Sequence, residues 1–191
     1  MDERDLGRTL LTIARSAIGT QLGFSSPAQT NHIALARPGA TFVTLKSSGE
    51  LRGCIGSLKP GRPLGVDVHQ NALAAAFRDP RFPPLAAVEF EATSIEVSLL
   101  STDERLAVRD EEDLVARLRP GVDGLILEYG RHRATFLPQV WETIAEPRDF
   151  LAALKRKAGL PEDFWSPQVS VSRYAVTKWA EAEVLLNEEE R

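Results

Sequence analysis

Leu51-Arg52-Gly53-Cys54-Ile55-Gly56-Ser57-Leu58 holds the chain's single cysteine, with a glycine on each side of it. A thiolate is a strong nucleophile and a redox-active group, and it needs an electropositive, accessible setting to act as either. Glycine in a strand marks a bulge or a place where another backbone or a ligand comes close. A cysteine there could meet a ligand with little steric cover. Arg52 could favour its thiolate form or hold an anion. Strand alternation sends Arg52 and Cys54 to the same face only if no bulge intervenes. The plainer alternatives are that Cys54 is a small buried apolar residue and that Arg52 pairs with an acid such as Glu50 or Glu96.

A nucleophilic cysteine calls for a base within hydrogen-bond reach. Of the three histidines, His32, His69 and His132, His69 falls on the helical segment that follows the glycine-flanked strand. It is therefore the candidate catalytic partner of Cys54 and Arg52, or else a solvated residue beside Asp67 and Gln70. A second stretch, Phe77-Arg78-Asp79-Pro80-Arg81-Phe82-Pro83-Pro84-Leu85, sets two arginines and two aromatics among three prolines. Prolines hold such a loop stiff, which pre-organises side chains for binding. Arg78, Asp79, Arg81 and Phe82 are thus candidate ligand contacts, along with Gly53 and Gly56, where backbone can approach closely. A rigid connector with Phe82 as a core plug is the alternative. In the third stretch, Thr135-Phe136-Leu137-Pro138-Gln139-Val140-Trp141, Gln139 is the candidate contact and Trp141 reads as core.

Other chemistry finds no footing. No histidine pair has helical zinc spacing and the acids are scattered, so no metal site is expected. No phosphate loop, dinucleotide fingerprint or nucleophile-elbow serine appears, and no cofactor is expected.

The elements that must position these residues follow from periodicity. Leu6, Leu10, Ile13 and Ala17 form the stripe of an amphipathic helix whose arginines face water. A Gly-, Ser- and Pro-containing loop follows to about Gly39. Thr41–Leu45 and Glu50–Ile55 form a hairpin around Lys46–Gly49. Leu64 to Arg78 is a helix with Leu64, Val68, Ala72, Ala75 and Ala76 along one face, ended by the prolines. Ile95, Val97 and Leu99 alternate along a strand over Phe90–Leu100. Asp110 caps a helix carrying Leu114 and Leu118 that closes near Gly121. Gly124–Glu128 and Arg133–Leu137 form a second hairpin. Phe150, Leu151, Leu154 and Ala158 mark a helix stopped by Gly159 and Pro161. Val169, Val171 and Tyr174 predict a late strand, and the Glu-rich tail is expected to fray. Hairpin-linked strands imply antiparallel pairing, hence an α+β fold built from two hairpin-plus-helix halves.

The chain has 191 residues, enough for one domain or two small subdomains that bury roughly two-thirds of their unfolded surface without a staple. One cysteine excludes an internal disulfide and a cysteine-rich zinc site, in keeping with a reducing compartment. The 27 acids against 23 bases give a net charge of −4, which disfavours general nucleic-acid binding. The acidic start is unlike a signal peptide, and no run of about 18 apolar residues occurs. The expectation is a soluble cytoplasmic protein.

Taken in order, Leu-Arg-Gly-Cys-Ile-Gly, Asp-Pro-Arg-Phe-Pro-Pro and Phe-Leu-Pro-Gln-Val-Trp closely resemble the AMMECR-type domain family. Its bacterial and archaeal members are called AmmeMemoRadiSam system protein A. The resemblance takes in Thr41 to Leu45, Ile95 to Leu99, Asp123-Gly124-Leu125 and Lys157 to Leu160, and spans about residues 6–184 of one domain. It implies an α+β fold with a barrel-like sheet, and a functional site at Leu51 to Gly56. It also implies two partners, a Memo-like protein and a radical S-adenosylmethionine enzyme, to which metal and iron–sulfur chemistry belong. Two functions follow as expectations. One is a thiol-dependent enzyme centred on Cys54, acting on a small-molecule or protein substrate. The other is a binding or presentation module that docks on either partner.

Overall fold

The computed structural model describes residues 3–24 and 26–182. It falls into two compact units. The first runs to Leu100 and resumes at Thr177; the second spans Ser101–Val176. In the first unit the predicted stripe becomes α1 (Glu3–Gln21): Leu10 and Ala17 are buried, Leu6 and Ile13 partly so, and Leu11, Ala14 and Ile18 join them out of water. A 3-10 turn (Ile33–Ala36) and a two-residue strand β1 (Pro38–Gly39) interrupt the loop that follows. The first hairpin is β2 (Thr41–Ser47) and β3 (Glu50–Gly56), joined through Ser48 and Gly49. Both of these have positive φ, 50° and 85°, as a tight two-residue hairpin turn requires.

After the short β4 (Arg62–Pro63), α2 (Leu64–Phe77) buries all five residues of its predicted face, Leu64, Val68, Ala72, Ala75 and Ala76. A 3-10 turn (Ala87–Glu89) then leads to β5 (Thr93–Leu100), which pairs antiparallel with β2. Both helices pack on the sheet face that carries Val43, Leu45, Ile95 and Val97. A buried carboxylate joins the pieces. Asp67, fully buried on α2, accepts from the Thr41 amide and hydroxyl (both 2.7 Å), the Ser57 hydroxyl (2.7 Å), Arg62 Nε (2.8 Å) and Asn71 Nδ2 (2.9 Å). Five donors satisfy a charge that burial alone would make costly.

The second unit opens with β6 (Glu104–Arg105). It continues to α3 (Glu111–Arg117), where the Asp113 amide donates to the capping Asp110 carboxylate at 2.8 Å. The helix ends at Arg117, short of the expected Gly121. The second hairpin is β7 (Gly124–Tyr129) and β8 (His132–Phe136), turning at Gly130 and Arg131. A 3-10 turn (Pro138–Glu142), α4 (Pro147–Lys157) and β9 (Ser170–Tyr174) complete it. Gly159, at φ +77°, stops α4 as predicted. Trp141 is core, stacked on Phe150 at 3.7 Å, and its Nε1 donates to the Asp123 carbonyl. Lys155 is buried and bonds both oxygens of Glu111 (2.9 and 3.1 Å).

A tenth strand, β10 (Val176–Ala180), is absent from the sequence prediction. It follows β9 after one residue but joins the first unit's sheet beside β5. The strand orders are β10-β5-β2-β3 and β6-β9-β7-β8. β1 and β4 form a separate antiparallel pair; both four-stranded sheets are antiparallel and open, so the α+β class holds without a closed barrel among the described residues. Trp179 of β10 lies over Gly7 of α1, where an added Cβ would come 2.4 Å from the indole.

One expectation for α1 needs correcting. Arg15 is only partly open to water: it donates to the Phe90 and Thr93 carbonyls (3.0 and 2.7 Å) and pairs with Glu181, because a strand end and its carbonyls reach this side of the helix. The Glu-rich tail and the last residues of the expected 6–184 span lie outside the described residues. Among those described, no helix is long and apolar enough to cross a membrane.

Candidate functional site

The β2–β3 register explains the glycine-flanked cysteine. Ser47 pairs with Glu50 and Lys46 with Leu51, but Leu45 pairs with Gly53 and Thr44 with Cys54. Arg52 is therefore the extra residue of a β-bulge, which breaks the alternation that would have set Arg52 and Cys54 on one face. Gly53 points toward α2. A Cβ there would lie 2.2 Å from the Ala75 carbonyl oxygen, so only glycine lets helix and strand come this close. Gly56, on the same face as Cys54, sits under the Phe42 ring, which a Cβ would meet at 2.2 Å.

Cys54 is half-buried on the sheet face away from the helices. Its Sγ accepts a hydrogen bond from Thr44 Oγ1 at 3.3 Å. Its amide donates to Asp79 Oδ2 at 2.8 Å, and its carbonyl accepts from Arg81 Nη2 at 3.2 Å. Asp79 is 4% exposed and also accepts from the Arg81 amide (3.1 Å), Nε (3.0 Å) and Nη2 (2.7 Å). The Arg81 guanidinium holds the Asp79 carboxyl well below the ordinary range, helped by the two backbone amides and opposed by burial. Arg81 is raised in turn, first by Asp79 and in smaller part by Cys54.

Arg52 is engaged elsewhere. Nε and Nη2 donate to the two Glu89 oxygens (2.8 and 3.0 Å), and Nη1 to the Pro83 carbonyl (3.0 Å). This fork raises the guanidinium and, with the Ala86 amide, lowers the Glu89 carboxyl to about 2. The acid is neither Glu50 nor Glu96, since Glu96 is taken by Lys46 at 2.6 Å and Lys178 at 3.6 Å. The half-buried Phe82 ring has both guanidinium carbons near it, Arg52 at 5.9 Å and Arg81 at 5.6 Å from its centroid. It is a platform held by two ion pairs, not a core plug.

The remaining candidates lie apart from this cluster or in the other unit. His69 is exposed on α2, on the Gly53 side of the sheet. There it lines a cavity of about 170 Å³ with Ile13, Thr20, Pro27 and Leu73. The sheet stands between it and Cys54. His32 caps the 3-10 turn at Ala34, and His132 Nδ1 meets the Ala158 carbonyl; among the described residues no histidine is hydrogen-bonded to Cys54. Arg78 is exposed at the C-cap of α2. Gln139 is exposed on the 3-10 turn of the second unit. No group of three or more His, Cys, Asp or Glu among the described residues could hold a metal ion.

Sequence reasoning missed Thr44 and Glu89. A two-residue turn without a bulge would have set Thr44 against Gly53, so only Gly53 itself hinted at the shift. Nothing in the sequence pointed to Glu89, 37 residues from Arg52.

An α+β protein with two four-stranded antiparallel sheets and a bulge-held cysteine on an edge strand is the class these features define. The same fold occurs in the crystal structure of an uncharacterised protein from Pyrococcus horikoshii, with a TM-score of 0.76 and 32% identity, covering 95% of this chain and 93% of that one. A protein of Methanothermobacter thermautotrophicus is 43% identical over 179 residues, 90% of this chain and 92% of its own. One from Methanocaldococcus jannaschii is 39% identical over 150 residues, 74% of this chain and 73% of its own. The AMMECR1 family model matches residues 11–179. The chain belongs to the AMMECR1 family.

Proposed function

We propose that this AMMECR1-family protein is a component of the AmmeMemoRadiSam system and acts as a thiol-dependent enzyme through Cys54. The observation that carries the reading is the setting of the sulfur. Cys54 is half-buried, its Sγ accepts from the Thr44 hydroxyl, and its backbone carbonyl accepts from the Arg81 guanidinium. A hydroxyl donated to the sulfur and a guanidinium bonded to the same residue are the electropositive, partly accessible surroundings that a reactive cysteine needs. Arg81 takes the part first expected of Arg52. Phe82 and the outer edge of Arg81, 53% exposed, are the surfaces a small-molecule or protein substrate would meet.

A second reading is favoured by the Asp79–Pro84 loop. Three prolines and two ion pairs hold the Phe82 ring in place before any ligand arrives, a pre-organised anchor of the kind protein interfaces use. In that reading the chain docks on the Memo-like protein or the radical S-adenosylmethionine enzyme and presents a substrate. Two variants separate the readings. With catalysis, Cys54→Ala abolishes the system's product and leaves partner co-purification intact. With docking, Phe82→Ala abolishes co-purification and Cys54→Ala keeps the product. A Cys54→Ala variant with full product formation removes the enzyme reading.

A further inference from the structure

β3 is one of the two edge strands of its sheet, and an edge strand presents backbone donors and acceptors with no neighbouring strand to meet them. At Cys54 both are met by one short segment, Asp79-Pro80-Arg81. The acid takes the amide at 2.8 Å and the arginine takes the carbonyl at 3.2 Å. We infer that Asp79 is the positioning residue of the Cys54 site, clamping the peptide of the edge strand with Arg81 as the clamp's second jaw, in place of a partner strand. The inference rests on the thiol-centred reading only in that the group positioned is a working sulfur.

Three observations carry it. Asp79 is 4% exposed and accepts four hydrogen bonds; such a carboxylate holds structure and leaves ligand contact to Arg81 and Phe82. The bonds fall on both sides of the Cys54 Cα, so the direction in which Sγ leaves the backbone is set by Asp79 and Arg81 together. Pro80 lies between the jaws and stiffens their spacing. The clamp also sets opposite charges on the two sides of one residue, a carboxylate on the Cys54 amide and a guanidinium on its carbonyl.

The test uses the full-length protein. Amide hydrogen exchange at Cys54 and the rate of iodoacetamide alkylation against pH are measured in wild type, Asp79→Asn, Asp79→Ala and Arg81→Gln. Loss of a charge-assisted hydrogen bond to the amide speeds Cys54 exchange in Asp79→Ala by on the order of tenfold or more. Asp79→Asn moves the alkylation midpoint to lower pH and Arg81→Gln moves it to higher pH. Opposite shifts are what two bracketing charges produce; a merely structural role does not yield them. Unchanged exchange in a folded Asp79→Ala, or midpoints that stay put or move the same way, overturns the inference. If the Asp79 variants do not fold, Arg81→Gln decides alone, and an unmoved midpoint overturns it. A wild-type thiol inert in the native state sinks the thiol reading, while exchange at Cys54 still decides the clamp.

Discussion

Two arginines stand beside the Phe82 ring, and their parts are the reverse of what chain order suggests. Arg52, two residues from Cys54, is carried off by the bulge to Glu89. Arg81, far along the chain, returns to the Cys54 carbonyl. Arg52→Ala is therefore expected to leave the pH profile of Cys54 alkylation in place and to cost about 1 kcal/mol in urea unfolding, typical of a partly exposed ion pair with good geometry; a shifted profile would contradict the assignment. The Glu89 partner brings an acid dependence. Its carboxyl falls from the ordinary value of about 4.5 to about 2, so the ionised form is favoured by folding. The contribution is fully present above about pH 4.5 and is lost as pH falls toward 2. With Glu89 a third exposed, solvent screening keeps it modest. Glu89→Gln should flatten the fall of Tm with pH across that window, and a fall as steep as wild type would show the pair to be idle. Cys54 and the arginines were legible as candidates from residue type alone. Which arginine bonds to Cys54 was not, because a one-residue bulge reverses every facing beyond it.

At the scale of elements, hairpins and helices could be read from periodicity and turn residues, while their closest approaches could not. The glycine beside Cys54 could mark a bulge, an approaching backbone or a ligand; the structure shows the backbone, since the Ala75 carbonyl of α2 occupies the place of a Cβ at Gly53. Gly53→Ala should destabilise by about 1–3 kcal/mol, the range for overpacking. Gly61→Ala should be near neutral, since its Cβ would meet nothing nearer than 4.0 Å; equal effects in thermal melts would refute the packing account. In the second unit, buried Lys155 ties α4 to Glu111 at the start of α3. Replacing a buried ion with an apolar residue of similar length often costs nothing, whereas shortening it leaves a void. Lys155→Met should therefore keep or raise Tm, with Lys155→Ala lower by the equivalent of about 2 kcal/mol or more. A Met variant as unstable as the Ala variant would mean that the ion pair itself stabilises the unit.

For the whole molecule, the chain leaves its first unit at Leu100, builds a second, and comes back to supply β10. The returning segment brings Trp179 over Gly7, and Glu181 to Arg15 and the Ile95 amide. Ending the chain after Ala175 should strip hydrogen-exchange protection from β5 and α1 while amides of β7 and β9 keep theirs. Retained protection in β5 would show that β10 is dispensable. The sequence by itself determined the α+β class, the antiparallel hairpins, the helix faces and the three motifs of the AMMECR1 family, because each rests on neighbours within a few residues, where period and turn chemistry are decisive. Only the tertiary structure decided the bulge at Arg52, the Asp79–Arg81 hold on Cys54, the place of His69 across the sheet and the return of β10. Each depends on groups dozens of residues apart, brought together by packing that no local pattern records.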